Sequence, residues 1–442
     1  MMIDIPFKQY HESIDKNMHT LKQGKVSQVI GLIIKVDGLD AFIGEVCEIN
    51  IKSTDKIVLS EVVGFVDETV LLMPLDELEG IGPGCLVRPT RKTLKVEVSD
   101  DMLGTTLDGL GRPLTEARLT EGKMYQVNRS SPDPFKRKKI KNIMTTGVKA
   151  IDGLLTVGEG QRMGIFAGSG VGKSTLLGMM AKYSDADVIV IGLIGERGRE
   201  VMEFIENELG EEGYAKSVVV CATSDMPPLV RLKGAYVATA IAEYFRDQGK
   251  KVVLMMDSVT RVAMAQREIG LATGEPPTSK GYTPSVFTTL PKLLERSGTS
   301  QSGSITAFYT VLVEGDDMNE PIADSVRGIL DGHIILSRKI ASENHYPAID
   351  IPNSLSRLMK ELVSPEQDEL AGKLRENLTR YTDTKDLIDV GAYQKGSNPL
   401  VDQAVRLNRP IKDFLKQKTK ESYTFDETLS ELSSVFSAHS IR

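Results

Sequence analysis

No tryptophan occurs among the 442 residues, and aromatic side chains make up only 5% of them, so stacking platforms for single-stranded nucleic acid are scarce. Positive charge is not in excess either: 54 Lys and Arg stand against 61 Asp and Glu, a formal charge of −7. That balance argues against bulk binding to a polyanion, and the short basic stretch from Lys136 to Lys139 reads as a solvated face. Cysteine is sparse. Cys47, Cys85 and Cys221 are odd in number, far apart and without a C-x-x-C pair, which excludes a disulfide framework and fits a reducing compartment. The five histidines, His11, His19, His333, His345 and His439, show no metal-ligand spacing. No apolar run approaches the roughly 20 residues of a membrane helix. The first residues, MMIDIPFKQYHESIDKNMH, carry scattered charges and lack the apolar centre of a signal peptide. The expectation is a cytoplasmic protein that reaches a membrane only through partners.

What is present is a globular composition, 40% hydrophobic and 26% charged, in a chain long enough for two or three cores. Residues 1–23 mix charged and apolar positions and read as an N-terminal arm. Over 24–95 the texture is short β-type runs, VSQVIGLIIKV, AFIGEVCEINI, KIVLSEVVGFV and TVLLMPL, broken by Gly, Asp and Pro; this spacing predicts a small β-barrel. Residues 96–145 read as a connector. From 146 to 362, apolar strands such as MGIFAG, DVIVIGLIG, SVVVCAT and KVVLMMDS alternate with helical segments, the pattern of a parallel sheet covered on both faces. Residues 363–442 have helical periodicity and read as a C-terminal helical domain. The fold class is therefore α/β, flanked by a barrel and a helical region.

The strand MGIFAG runs into A-G-S-G-V-G-K-S (167–174) and then a helical segment, the context in which a Walker A match carries weight. Gly168, Ser169, Gly170, Val171 and Gly172 would turn successive N–H groups toward phosphate oxygens, helped by the positive end of the following helix. Lys173 would reach the terminal phosphates, Ser174 would ligate Mg²⁺, and Thr175 completes the binding set. The first motif position is Ala167 where Gly is usual. MgATP also needs a carboxylate for the metal's water shell and another for the attacking water. Asp257, ending the strand KVVLMMD, fits the first role: an apolar run closed by Asp is common by itself and gains its weight from following this loop, and the metal contact would run through water. Glu196, just beyond the strand DVIVIGLIG, fits the second.

Over nearly its whole length the chain resembles the catalytic subunits of rotary F- and V-type ATPases and the ATPases of type III export. The resemblance is carried by TGVKAIDGLLTVGEGQRMGIFAGSGVGKSTLLGMM (146–180), IGERGRE (194–200), PPLVRLKGAYVATAIAEYFRDQGKKVVLMMDSVTR (227–261) and ADSVRGILDGHIILSRKIASENHYPAIDIPNSLSR (323–357). It implies a RecA-like P-loop ATPase domain between the barrel and the helical region. It also implies that Glu196 polarises the lytic water, that Arg261 faces the phosphates, that Tyr346 packs on adenine, and that Arg357 is an arginine finger given to a neighbouring subunit. The phrase GSITAFYTVLVEGDD (303–317) resembles the export enzymes rather than the rotary subunits, and DSVRGILDGHI (324–334) resembles the flagellar export branch.

That branch implies a homohexamer hydrolysing ATP with Mg²⁺ to energise flagellar protein export, peripheral to the inner face of the cytoplasmic membrane. The implied partners are a stator-like regulatory dimer at the N-terminus, a coiled-coil stalk protein in the ring's centre, export chaperone–cargo complexes and, indirectly, a membrane export gate. The alternatives are a virulence secretion ATPase, a rotary catalytic subunit, and a ring-shaped nucleic-acid motor. The last is disfavoured because the barrel region lacks clustered aromatic and basic residues, so no nucleic-acid partner is expected.

Overall fold

A computed structural model describes residues 22–51, 54, 56–115, 122–313, 315 and 317–437. The expected arm, 1–23, lies almost wholly outside the described residues. The chain divides into two compact units, one comprising the residues up to Leu94 with Leu271–Glu275, the other Lys95–Gly270 with the residues from Pro276 onward.

The first unit is a closed barrel. Its strands are β1 (Gly24–Ile30), β2 (Ile33–Asp37), β3 (Glu45–Ile51), β4 (Lys56–Val66), β5 (Thr69–Pro74) and β6 (Leu86–Thr93), joined in the order β1-β2-β5-β4-β3-β6. The apolar run VSQVIGLIIKV is two strands rather than one, because Gly31 (φ 55°) supplies the left-handed turn that pairs Ile30 with Ile33. Alternate positions, among them Val26, Ile34, Val36, Ile49, Val58, Leu72 and Val87, fill the interior. Closure leaves no free sheet edge in this unit, which a short-stranded sheet of this size would otherwise expose.

The second unit is built on a nine-stranded sheet. Before it, β7 (Lys95–Val98) pairs with β9 (Lys123–Gln126), and β10 (Ile143–Met144) pairs antiparallel with β11 (Val157–Gly158) across the intervening helix Lys149–Leu154. The sheet itself contains β8 (Thr105–Asp108), β12 (Arg162–Ala167), β13 (Val188–Ile194), β14 (Ser217–Ala222), β15 (Lys251–Asp257), β16 (Gly298–Thr299), β17 (Ser304–Leu312), β18 (Gly332–Leu336) and β19 (Leu355–Ser356). Its order is β19-β18-β12-β17-β15-β13-β14-β8, with β16 added beside β17; all ladders are parallel except those of β16 and β19. Both faces are covered. In β13, Ile191 and Leu193 pack with Leu176, Leu177 and Met180 of the helix Lys173–Tyr183, while Gly192 on the other face lies so near Ala238 that an added Cβ would sit 3.2 Å from it. Ala238 belongs to the helix Pro228–Asp247, which packs against β13, β14 and β15.

Two features go beyond the sequence reading. Part of the segment read as a connector is sheet: β8 extends the parallel ladder beyond β14, Thr105 opposite Val218. The expected C-terminal helical region is present as the helices Pro365–Asp389, Pro399–Leu415 and Phe425–Ser437, which belong to the same compact unit as the parallel sheet. Leu374, Leu407, Ile411, Phe414 and Leu432 belong to the same buried cluster as Ile151 and Leu154. Gly153 permits the approach, since a Cβ there would meet Phe414 and Thr428 at 3.3 Å. The starts of the first two helices are set locally: the Ser364 and Asn398 side chains accept from the first-turn amides of Gln367 and Leu400, each with Pro at the first helical position.

Candidate active site

Parallel strands of a doubly covered sheet leave a crevice at their carboxyl ends. Here β12, β13, β15 and β17 all deliver polar residues to it. Beyond β12, Gly170 (φ 76°) and Gly172 (φ 86°) adopt left-handed conformations, and nothing lies within 4 Å of a Cβ built at Gly170. The loop amides of residues 168–172 donate to no acceptor among the described residues, so a row of N–H groups stands ready for an anion at the start of the 11-residue helix Lys173–Tyr183.

Lys173 lies between two carboxylates, its Nζ 2.5 Å from Asp257 Oδ1 and 3.6 Å from Glu196 Oε1. Burial opposes the ammonium charge, but Asp257 and Glu196 together outweigh it and hold its pKa above the usual lysine value. Glu196 is pushed the other way from an ordinary glutamate. Burial and the nearby charge of Asp257 raise its pKa from 4.5 to about 7, with Lys173 partly offsetting them. Gly195 (φ 73°) sets the turn before it, and a Cβ there would lie 2.8 Å from that of Arg261, so a glycine is needed both for the turn and for the close approach. Arg261 lies in the first turn of the helix Val259–Ala272, and its buried Nε has no hydrogen-bond partner among the described residues.

On the far side of the loop, the Tyr346 ring lies 3.4 Å from a Cβ built at Gly172 and borders a cavity of about 690 Å³. Gly172, Thr175, Met179, Gln417 and Thr419 line the same cavity. Gln417 fixes this wall: its N–H donates to the Tyr346 carbonyl at 3.0 Å, and its side chain bonds Lys149 N and the carbonyls of Gly147 and Glu421. The Thr175 hydroxyl donates to Glu208 at 2.9 Å.

These features suit a nucleotide triphosphate. The loop amides and the Arg261 Nε are donors without protein acceptors, and the cavity beside Tyr346 is of a size for a base. Ser174 and Asp257 offer the hard oxygen donors magnesium takes. Among the described residues no group of three or more His, Cys, Asp or Glu is placed to hold a metal.

The chain matches three family descriptions in series: ATP synthase alpha/beta family, beta-barrel domain over 26–91; the nucleotide-binding domain of the same family over 147–356; and T3SS EscN ATPase C-terminal domain over 363–434. It is 54% identical to the flagellum-specific ATP synthase of Bacillus subtilis (strain 168) across 94% of this chain and 95% of that one. The chain belongs to the family of flagellar and type III secretion ATPases. Two solved structures are similar throughout. The assembled ATPase EscN from the type III secretion system of enteropathogenic E. coli has a TM-score of 0.87 at 46% identity, covering 93% of this chain and 99% of that one. EscN in complex with its central stalk EscO gives 0.85 at 45% identity, with the same coverage.

Within this export ATPase, Gly168–Gly172, Lys173, Ser174, Glu196, Asp257 and Arg261 gather around one crevice, with Tyr346 beside it. Arg357 does not join them. It follows β19, whose Ser356 pairs with Gly332 at the opening of β18, whereas the phosphate loop follows the far end of β12, level with Leu336. Four residues of strand, roughly 13 Å along the sheet, separate the two levels. The Arg357 guanidinium donates only to the Arg327 carbonyl, at 3.4 Å, and has no acidic partner among the described residues. Two features escaped the sequence reading. Thr310, on β17, donates to Asp257 Oδ1 at 2.6 Å, and Lys416, Gln417, Lys418, Thr419 and Glu421 line the cavity opposite Tyr346. Neither carries a motif; sheet order places Thr310, and the packing of the helical region places the wall formed by Gln417 and its neighbours.

Proposed function

We propose that this chain hydrolyses MgATP as a homohexameric ring and thereby energises flagellar type III protein export, delivering cargo to a membrane export gate. The observation that carries the reading is the near-full-length 54% identity to a flagellum-specific ATP synthase, combined with a lysine, two carboxylates and a phosphate loop in one crevice. In this reading the loop amides and Lys173 bind the phosphates, and Lys173 exchanges its carboxylate partners for them. Ser174 and, through water, Asp257 would hold magnesium, which would supply charge neutralisation on the phosphoryl oxygens. Glu196 orients the attacking water and accepts its proton, Arg261 steadies the γ-phosphoryl charge, and Tyr346 packs on the base.

Arg357 is supplied to the next subunit's site. Its distance from its own phosphate loop and its lack of an acidic partner support that role. An arginine finger is worth about 10³–10⁵ in rate, or roughly 4–7 kcal/mol of barrier. A coiled-coil stalk in the ring's centre is supported by the similar EscN structure solved with its central stalk. The stator-like dimer, the chaperone–cargo complexes and the position at the inner face of the cytoplasmic membrane belong to the same proposal; the expected stator site at the N-terminus lies outside the described residues. No described helix is long and apolar enough to cross a membrane, so any membrane attachment of the described part runs through partners or its surface.

The test uses the purified chain and the cell that makes it. Lys173→Ala should lose nucleotide binding, while Glu196→Gln should bind ATP but release no phosphate, and neither should restore flagella to a strain lacking the gene. Normal flagellation by a variant shown to be hydrolysis-dead would separate this chain's ATPase from export.

A further inference from the structure

Two donors converge on a single oxygen of Asp257. Lys173 Nζ reaches Oδ1 at 2.5 Å and Thr310 Oγ1 reaches the same atom at 2.6 Å, while Oδ2 receives no hydrogen bond among the described residues. Thr310 is completely buried, and the Met256 carbonyl is its other neighbour at 3.3 Å. A hydroxyl has one hydrogen to give, and the shorter contact to the charged oxygen takes it. Strand register makes this contact rigid. β17 lies between β12 and β15, Tyr309 stands opposite Met256, and Thr310 is therefore level with Asp257 at the crevice. Both backbones are clamped in parallel ladders, whereas Lys173 reaches Asp257 by a long side chain that the phosphates would draw away.

We propose that Thr310 is the positioning residue for Asp257: it holds the carboxylate through Oδ1, leaves Oδ2 for the metal's hydration shell, and remains the anchor once Lys173 has moved to the nucleotide. The inference rests on the reading of the chain as a MgATP hydrolase. Thr310→Val keeps the branched shape and deletes the donor, Thr310→Ala deletes it without risk of a clash, and Thr310→Ser keeps it. A purely structural hydroxyl would change stability alone. An anchor for Asp257 would change the response to magnesium.

The experiment is binding of a fluorescent ATP analogue by the full chain, first in EDTA and then across a Mg²⁺ titration, with phosphate release and melting temperature followed in parallel. In EDTA, Thr310→Val and Thr310→Ala should bind the analogue within about twofold of the parent, because the phosphate loop is untouched. Their Mg²⁺ midpoints should rise by about tenfold or more, the scale set by a hydrogen bond to a charged group, and Thr310→Ser should return close to the parent. Unchanged Mg²⁺ midpoints in both donor-deleted variants, with only the melting temperature lowered, would overturn the proposal and leave the ATPase reading standing. A parent chain that binds no analogue in either condition would instead remove the ATPase reading on which the proposal rests.

Discussion

Glu196 is a carboxylate kept close to half-protonated at neutral pH by burial and by Asp257. A general base must be ionised, so kcat/KM, which reports the free enzyme, should fall about tenfold per pH unit below pH 7. The same shift has a consequence for stability with the opposite ordering. Because the folded-state pKa lies above the unfolded one, the folded protein holds the proton more tightly, and stability falls as pH rises from about 4.5 to about 7. Glu196→Gln removes the charge and with it that loss. The variant should therefore melt at the parent's temperature near pH 4.5 and above it at pH 8, although it turns over no ATP. Parallel melting curves at every pH would show that Glu196 ionises as an ordinary surface glutamate.

At the scale of elements, one buried ion pair ties three segments together. Arg296, the largest fully buried side chain among the described residues, donates through Nε and Nη2 to Glu243 at 2.9 and 2.8 Å, and through Nη1 to the Val127 carbonyl at 2.8 Å. It thereby joins the end of the helix Pro284–Leu294 to the helix Pro228–Asp247 and to the stretch after β9. Removing one partner leaves the other charge buried, so Glu243→Ala should cost about 3–5 kcal/mol in urea unfolding. Replacement by Gln, which retains an acceptor, should cost less. A Glu243→Ala cost below about 1 kcal/mol would mean that water or a neighbour takes over the guanidinium. These elements were only partly legible in the sequence. The strands of the barrel and the parallel sheet announced themselves by alternation or unbroken apolar character. The segment 96–145 did not, because β8 is a four-residue edge strand whose partner, β14, is more than a hundred residues away. Short strands owe their existence to that partner more than to their own composition.

At the scale of the whole molecule, the finger role proposed for Arg357, which is held apart from its own phosphate loop, predicts complementation between inactive copies. On that proposal Glu196→Gln keeps Arg357 but lacks the base, and Arg357→Ala keeps the base but gives no finger. Mixed in equal amounts and reassembled, they should regain activity at about a quarter of the sites, since in a head-to-tail ring each site draws on two neighbours chosen at random. No recovery in mixed rings would place Arg357 outside the chemistry of the adjoining site. For the parent, activity per subunit should rise with protein concentration as rings form.

Local chemistry is what the amino-acid order determined unaided: a glycine-rich turn between strand and helix, an acidic residue closing an apolar strand, a barrel written in alternating residues. These depend on neighbours a few positions apart, and backbone sterics act over that range. Which atoms meet across the crevice was decided only by the folded sheet. Thr310 became a partner of Asp257 through strand order, Gln417 and its neighbours became a wall of the cavity through the docking of the helical region, and Arg357 was carried away from its own loop by one antiparallel strand. Contacts of that kind join residues tens to hundreds of positions apart, and only packing in three dimensions brings such residues within the few ångströms over which hydrogen bonds and charges act.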